Sequence, residues 1–154
     1  MTGTKLELSS CALVVHDVDE ALHFYRDVLG FAARDNVGPE GMRRVSVGPP
    51  SQPDMRILLE APGTDPCVPP ADRQAIEQLV ATGLLSRLVF TTDDCDATFH
   101  RIEAAGVEVM QEPINQPDGA RDCAFLDPSG NILRFTQPTH AAPVPEGTGP
   151  ARCE

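Results

Sequence analysis

The chain has 154 residues, the size of one ordinary domain with room for an apolar core. Its 23 acidic against 12 basic residues give a formal charge of −11, which excludes nucleic acid and membrane as partners, since anionic surfaces reward clustered Lys and Arg. The five cysteines (Cys11, Cys67, Cys95, Cys123 and Cys153) are odd in number and never spaced C-x-x-C, which speaks against a disulfide framework and a zinc knuckle. Cys11 and Cys123 fall inside predicted strands, where a cysteine acts as a small hydrophobe. The first ten residues, "MTGTKLELSS", lack the apolar stretch of a signal peptide, and no run is long enough to span a bilayer. A reduced cytoplasmic location is expected. Nearly all basic residues are Arg, and Ala, Gly and Pro are frequent, a usage that points to a bacterial chain.

Residues 9–30, "SSCALVVHDVDEALHFYRDVLG", open with a short apolar strand and turn at Asp17. Asp17 followed by Glu20 is a capping-box signature. Ala21, Leu22, Phe24, Tyr25, Val28 and Leu29 then recur at the spacing of a helix that buries one face, and Gly30 stops it. Three strands follow, "FAARDN", "MRRVSVG" and "DMRILLE", parted by Gly and Pro turns. The stretch "PPADRQAIEQLVATG" predicts a connecting helix over 70–83, with Ile76, Leu79 and Val80 on one face. Residues 86–106 then repeat the opening unit: a strand, Asp94 as cap, Phe99, Ile102 and Ala105 on the buried face, and Gly106 as stop. Its strands are "VEVMQEP", "ARDCAFLD" and "NILRFTQ". The plan is β-α-β-β-β twice, an α+β fold with halves at about 8–61 and 86–137 in one domain over 1–138. The tail over 139–154 is rich in Pro and Gly, has no periodicity and is expected to lack fixed structure.

The segments "VVHDVDEALHFYRDVLGF" at 14–31 and "DPSGNILRF" at 127–135, together with the repeat, resemble the vicinal oxygen chelate superfamily. That group includes glyoxalase I, extradiol dioxygenases, fosfomycin resistance enzymes and bleomycin-binding resistance proteins. The resemblance implies two curved mixed sheets around a cleft, with helices outside. It also implies that metal-dependent relatives carry four His or Glu ligands on the first and last strand of each half. Superposing the Asp turns and last strands puts Ser10, Leu58, Arg87 and Arg134 at those positions. None is an ordinary ligand, and two are permanent cations that repel a metal. No metal and no cofactor is therefore expected.

Strand alternation sends Cys11, Leu13 and Val15, Leu88 and Phe90, and Ile57 and Leu59 under the helices. It leaves Ser10, Arg56, Leu58, Arg87, Thr91 and Arg134 as candidate ligand-binding residues. An arginine in such a place either pairs with an acid, such as Glu60 or Asp54, or grips an anionic or electron-rich oxygen of a ligand. His16, beside the first turn, is the one histidine at the cleft rim, while His23 and His100 fall on exposed helix faces and His140 in the tail. Cys123 lacks a paired base for nucleophilic work. The expectation is a metal-free small-molecule-binding protein with a sequestration or resistance role, forming a homodimer. The alternative is a lyase, isomerase or dioxygenase of the same superfamily, metal-dependent or using an arginine pair.

Overall fold

The computed structural model describes residues 3–39 and 43–139. In chain order the elements are β1 (Ser10–Val14), α1 (Val18–His23), β2 (Ala32–Val37), β3 (Arg44–Gly48), β4 (Arg56–Glu60), α2 (Pro70–Ala81), β5 (Arg87–Thr91), α3 (Cys95–Ala104), β6 (Glu108–Asn115), β7 (Arg121–Leu126) and β8 (Ile132–Gln137). They make an α+β fold of two four-stranded mixed sheets, ordered β1-β4-β3-β2 and β5-β8-β7-β6. Each half pairs its first strand parallel to its last and its remaining strands antiparallel. His140, Cys153 and the tail from residue 140 onward lie outside the described residues.

Both outer helices start as their sequences dictate. Asp17 Oδ1 accepts from Glu20 N at 2.8 Å, and Asp94 Oδ1 from Ala97 N at 2.9 Å. The first helix departs from the uninterrupted one that its periodicity predicts. After His23 it widens into a π turn over Phe24–Val28, closed by Leu29 N donating to Phe24 O at 2.9 Å. The stretch from Asp17 to Gly30 is one residue longer than that from Asp94 to Gly106, and the π turn absorbs the extra residue. Both helices therefore still end at a left-handed glycine, Gly30 at φ +81° and Gly106 at φ +86°. On α2, Val80 is buried, but Leu79 is 49% exposed and Ala105 after α3 is also exposed, so each buried face is narrower than its spacing suggests.

One apolar cluster joins the halves: Leu13, Val15, Val45, Val47, Ile57 and Leu59 from the first sheet meet Cys123, Phe125, Leu133 and Phe135 from the second, with Tyr25, Phe99 and Ile102 from the helices. Full burial of each large side chain contributes about 1.5–3 kcal/mol. The turn over 127–131, "DPSGN", fastens this assembly. Asp127 accepts from Ser129 N and Asn131 N at 2.9 Å, from Asn131 Nδ2 at 3.0 Å, and from the Tyr25 hydroxyl at 2.7 Å. Burial, with the Asp127 carboxylate, pushes the Tyr25 phenol far above its usual range, so it stays a donor. Asn131 Nδ2 also donates to Val14 O on β1 at 2.9 Å, and His16 N donates to Ser129 Oγ at 2.9 Å. Gly130 sits at φ +100°, where a Cβ would meet Ala81 O at 2.8 Å. The motif that carries the family resemblance is thus a structural clasp between halves.

Candidate ligand-binding site

Each sheet turns its helix-free inner face outward, and the strand register says which side chains share it. On the first sheet Ala12, Leu58, Ser46 and Asp35 form one row across the strands, and Ser10 faces Arg56 in the next. On the second sheet Val89, Arg134, Ala124 and Gln111 form the matching row, Arg87 faces Ile132, and Thr91 faces Thr136. The two parallel pairs match position by position: Ser10 opposite Arg56 as Arg87 opposite Ile132, and Ala12 opposite Leu58 as Val89 opposite Arg134.

The sequence-predicted arginines differ in their company. Arg134, with a side chain only 24% exposed, places Nη1 at 3.3 Å from Asp122 Oδ1 and donates to Gln111 Oε1 at 3.1 Å. Asp122 also accepts from Gln111 Nε2 at 2.8 Å and Gln116 Nε2 at 3.0 Å. Burial pulls its pKa upward, but the Gln116 and Gln111 donors and the Arg134 charge outweigh it, holding the carboxyl below the usual range. The first sheet builds a similar cluster. Asp35 Oδ2 accepts from Ser46 Oγ at 2.6 Å and from Arg56 Nε at 3.2 Å, and Arg44 Nε stands 4.0 Å from it. The partners foreseen for Arg134, Glu60 or Asp54, are therefore wrong; the acid is Asp122 in the same sheet. It was findable, because in "RDCAFL" Asp122 and Ala124 alternate with the inward Cys123 and Phe125. Arg87 is exposed and has no ion-pair partner among the described residues. Ser10 and Leu58 are half-buried and Thr91 is exposed.

The other chemistry considered from sequence is closed. His16 Nε2 lies 2.9 Å from Glu77 O, so the ring ties β1 to α2 rather than facing a ligand. The Cys123 thiol is fully buried and pushed up to about 12, first by burial and then by Cys95, so it cannot supply a thiolate. Ser10, Leu58, Arg87 and Arg134, the positions that the resemblance assigns to metal ligands, offer a hydroxyl, an isobutyl group and two guanidiniums, a donor set that does not fit a divalent cation. Among the described residues no group of three or more His, Cys, Asp or Glu is placed to hold a metal. No helix among them is long and apolar enough to cross a membrane.

A separate groove of about 490 Å³ runs beside β5, between the 49–55 turn of the first half and α3 of the second. Phe31, Gln52, Thr91, Thr98, Arg101 and Phe135 are among its walls. Of the six residues singled out in the sequence, only Thr91 borders it.

The Glyoxalase/Bleomycin resistance protein/Dioxygenase superfamily model matches residues 7–135. The crystal structure of UcmS2 is 28% identical, with a TM-score of 0.81 over 88% of this chain and 100% of that one. That of TnmS3, an antibiotic binding protein from Streptomyces sp. CB03234, is 27% identical, with a TM-score of 0.68 over 90% of this chain and 100% of that one. The anthracycline biosynthesis protein DauV of Streptomyces sp. strain C5 is 28% identical over 149 residues, which are 94% of this chain but 46% of DauV. With the doubled β-α-β-β-β topology and the clasp turn in place, the chain belongs to the Glyoxalase/Bleomycin resistance protein/Dioxygenase superfamily.

Proposed function

We propose that the protein is a metal-free small-molecule-binding member of this superfamily, with a sequestration or resistance role in the cytoplasm. The reading rests on Ser10, Leu58, Arg87 and Arg134, none of them an ordinary metal ligand, at the inner-face positions that the resemblance assigns to such ligands. The likeness to an antibiotic binding protein at 27% identity over nearly the whole chain supports it. Arg87, the cation without an acidic neighbour, is the residue best fitted to hold an anionic or electron-rich oxygen, with Ser10 and Thr91 as further donors. Arg134 on the same sheet, and Arg56 and Leu58 on the inner face of the other, are the remaining candidates for contact with a ligand. Val89 and Ile114, on the inner face of the second sheet, are 62% and 45% exposed, apolar surface that a bound ligand and a second copy of the chain would cover in a homodimer.

Thermal-shift screening of natural products with and without chelator tests this. A ligand at a hundred times its Kd stabilises by about 2.7 kcal/mol, or roughly 5–10 °C for a chain of this size. The expected result is a shift of that order that chelator leaves unchanged and Arg87→Leu reduces. Stabilisation or turnover that appears only with added zinc, nickel, manganese or iron would refute the metal-free reading.

A further inference from the structure

The two halves are not equally closed. The groove beside β5 has a smaller counterpart of about 280 Å³, lined by Phe24, Val107, Asp127 and Pro128 among others, which no residue of β1 borders. Repeat matching pairs Phe31 with Val107, Arg101 with Phe24, and the 49–55 turn with 127–131. The difference in volume has a structural origin. β1 and β5 are both edge strands, each bonded on one side only. Val15 N donates to Glu60 O, so odd-numbered residues of β1 turn their backbone toward β4 and Val14 turns its carbonyl outward. That outward carbonyl accepts the side-chain amide of Asn131 at 2.9 Å.

On β5, Thr92 N donates to Thr136 O, so Thr91, the counterpart of Val14, turns its N–H and carbonyl away from β8 and toward the groove. The residue matching Asn131 there is Met55, which has no amide side chain to offer. The longer turn around it is held elsewhere, with Arg34 Nη2 donating to Pro49 O at 2.8 Å and Gln52 O at 3.1 Å. The molecule thus fills one edge site with an amide of its own and leaves the equivalent site open.

The open site has further walls with chemistry. Phe31 and Phe90 meet edge to face with ring centroids 5.3 Å apart, and Phe90 stacks on Phe135 at 5.3 Å, giving an aromatic floor. Arg101 borders the groove with one long contact to Leu29 O at 3.5 Å and no ion pair among the described residues, so its guanidinium has donors to spare. Together these present an acceptor for an amide N–H, a cation and an apolar surface, in a volume suited to a small molecule.

We propose that the groove at the β5 edge binds a small peptide-like acid, its amide N–H donating to the Thr91 carbonyl, its carboxylate meeting Arg101 and its apolar side chain lying on Phe31 and Phe90. The site touches the inner face at Val89 and Thr91 but uses none of its arginines, so binding there should be unchanged by Arg87→Leu whether or not Arg87 holds a ligand of its own. The test titrates the isotope-labelled full chain with N-acetylphenylalanine and follows assigned backbone amides by NMR. Saturable shifts at Val89, Thr91 and Thr92 are expected. The oxygen analogue O-acetylphenyllactate, which lacks the N–H, should bind roughly three- to tenfold more weakly, and the methyl ester, which lacks the charge, about tenfold or more. In Arg101→Gln the acid and its methyl ester should bind equally. Shifts that fail to saturate at millimolar probe, or that centre on inner-face Ala124 and Thr136, would overturn the proposal, as would equal binding of N-acetylphenylalanine and its oxygen analogue.

Discussion

Arg134→Leu separates an arginine that holds the fold from one that waits for a ligand. The substitution removes a cation 3.3 Å from Asp122, a residue only 6% exposed. Breaking a fully buried pair by deleting one partner costs about 3–5 kcal/mol. Two features lower that here: the Arg134 side chain keeps 24% exposure, and Asp122 retains the Gln111 and Gln116 amides at 2.8 and 3.0 Å. A loss of about 2 kcal/mol is therefore expected, lowering Tm by roughly 4–8 °C. Asp122→Ala should cost less, because the guanidinium left behind reaches water, and the double variant should be more stable than the two single losses sum to, by about 1–2 kcal/mol. Urea unfolding of the three variants at neutral pH measures this cycle. Arg134→Leu within about 0.5 kcal/mol of the parent would refute the structural account and leave Arg134 free to serve a ligand as Arg87 is proposed to.

Three further outcomes follow from the clasp and the cluster. Tyr25→Phe should destabilise by about 1.5–3 kcal/mol in urea unfolding, since it removes a buried 2.7 Å bond to Asp127. Gly130→Ala should cost about 3 kcal/mol or more, because φ is +100° and the new methyl meets Ala81 O, whereas Gly106→Ala, with open space at φ +86°, should cost only about 1–2 kcal/mol. Asp122, whose carboxyl is held below the usual range, contributes stability that is complete above the unfolded carboxylate value and lost as pH falls through its folded one. Tm measured downward from about pH 4 should therefore fall more steeply for the parent than for Asp122→Ala.

The repeat, both helix caps, all eight strands and the inward alternation were legible, because each is written in local spacing that burial then enforces. Asp17, Asp94, Gly30 and Gly106 carry local rules, and tertiary packing had no cause to override them. The π turn was hidden because one extra residue disturbs a helical pattern little while every side chain on its face stays apolar. The partners of Arg134 were missed for another reason. They sit on other strands of its own sheet, Asp122 on the adjacent β7 and Gln111 on β6 beyond it, and β6 carries bulges between Val109 and Gln111 and between Gln111 and Ile114 that decide which side chain reaches Asp122. The β5 groove has no signature in one segment at all; it arises from a difference between two matched turns.

That difference gives duplication a physical consequence. A doubled unit offers two equivalent edges, two equivalent turns and two equivalent inner faces, and stability needs only some of them to be closed. Here the 127–131 turn closes the β1 edge with Asn131, anchors the π turn after α1 through Tyr25, and lies against α2 at Gly130. Its partner, the 49–55 turn, makes none of these bonds and is held by Arg34 within its own half. The inner faces divide in the same way, with Arg134 and Arg56 engaged by acids of their own sheets and Arg87 left without one. Unfilled hydrogen-bonding capacity is costly when it is buried and nearly harmless when it faces solvent, and at Arg87, Arg101 and the Thr91 backbone it lies at exposed positions. Those places are where a ligand gains most, since it replaces water and no protein partner has to be displaced.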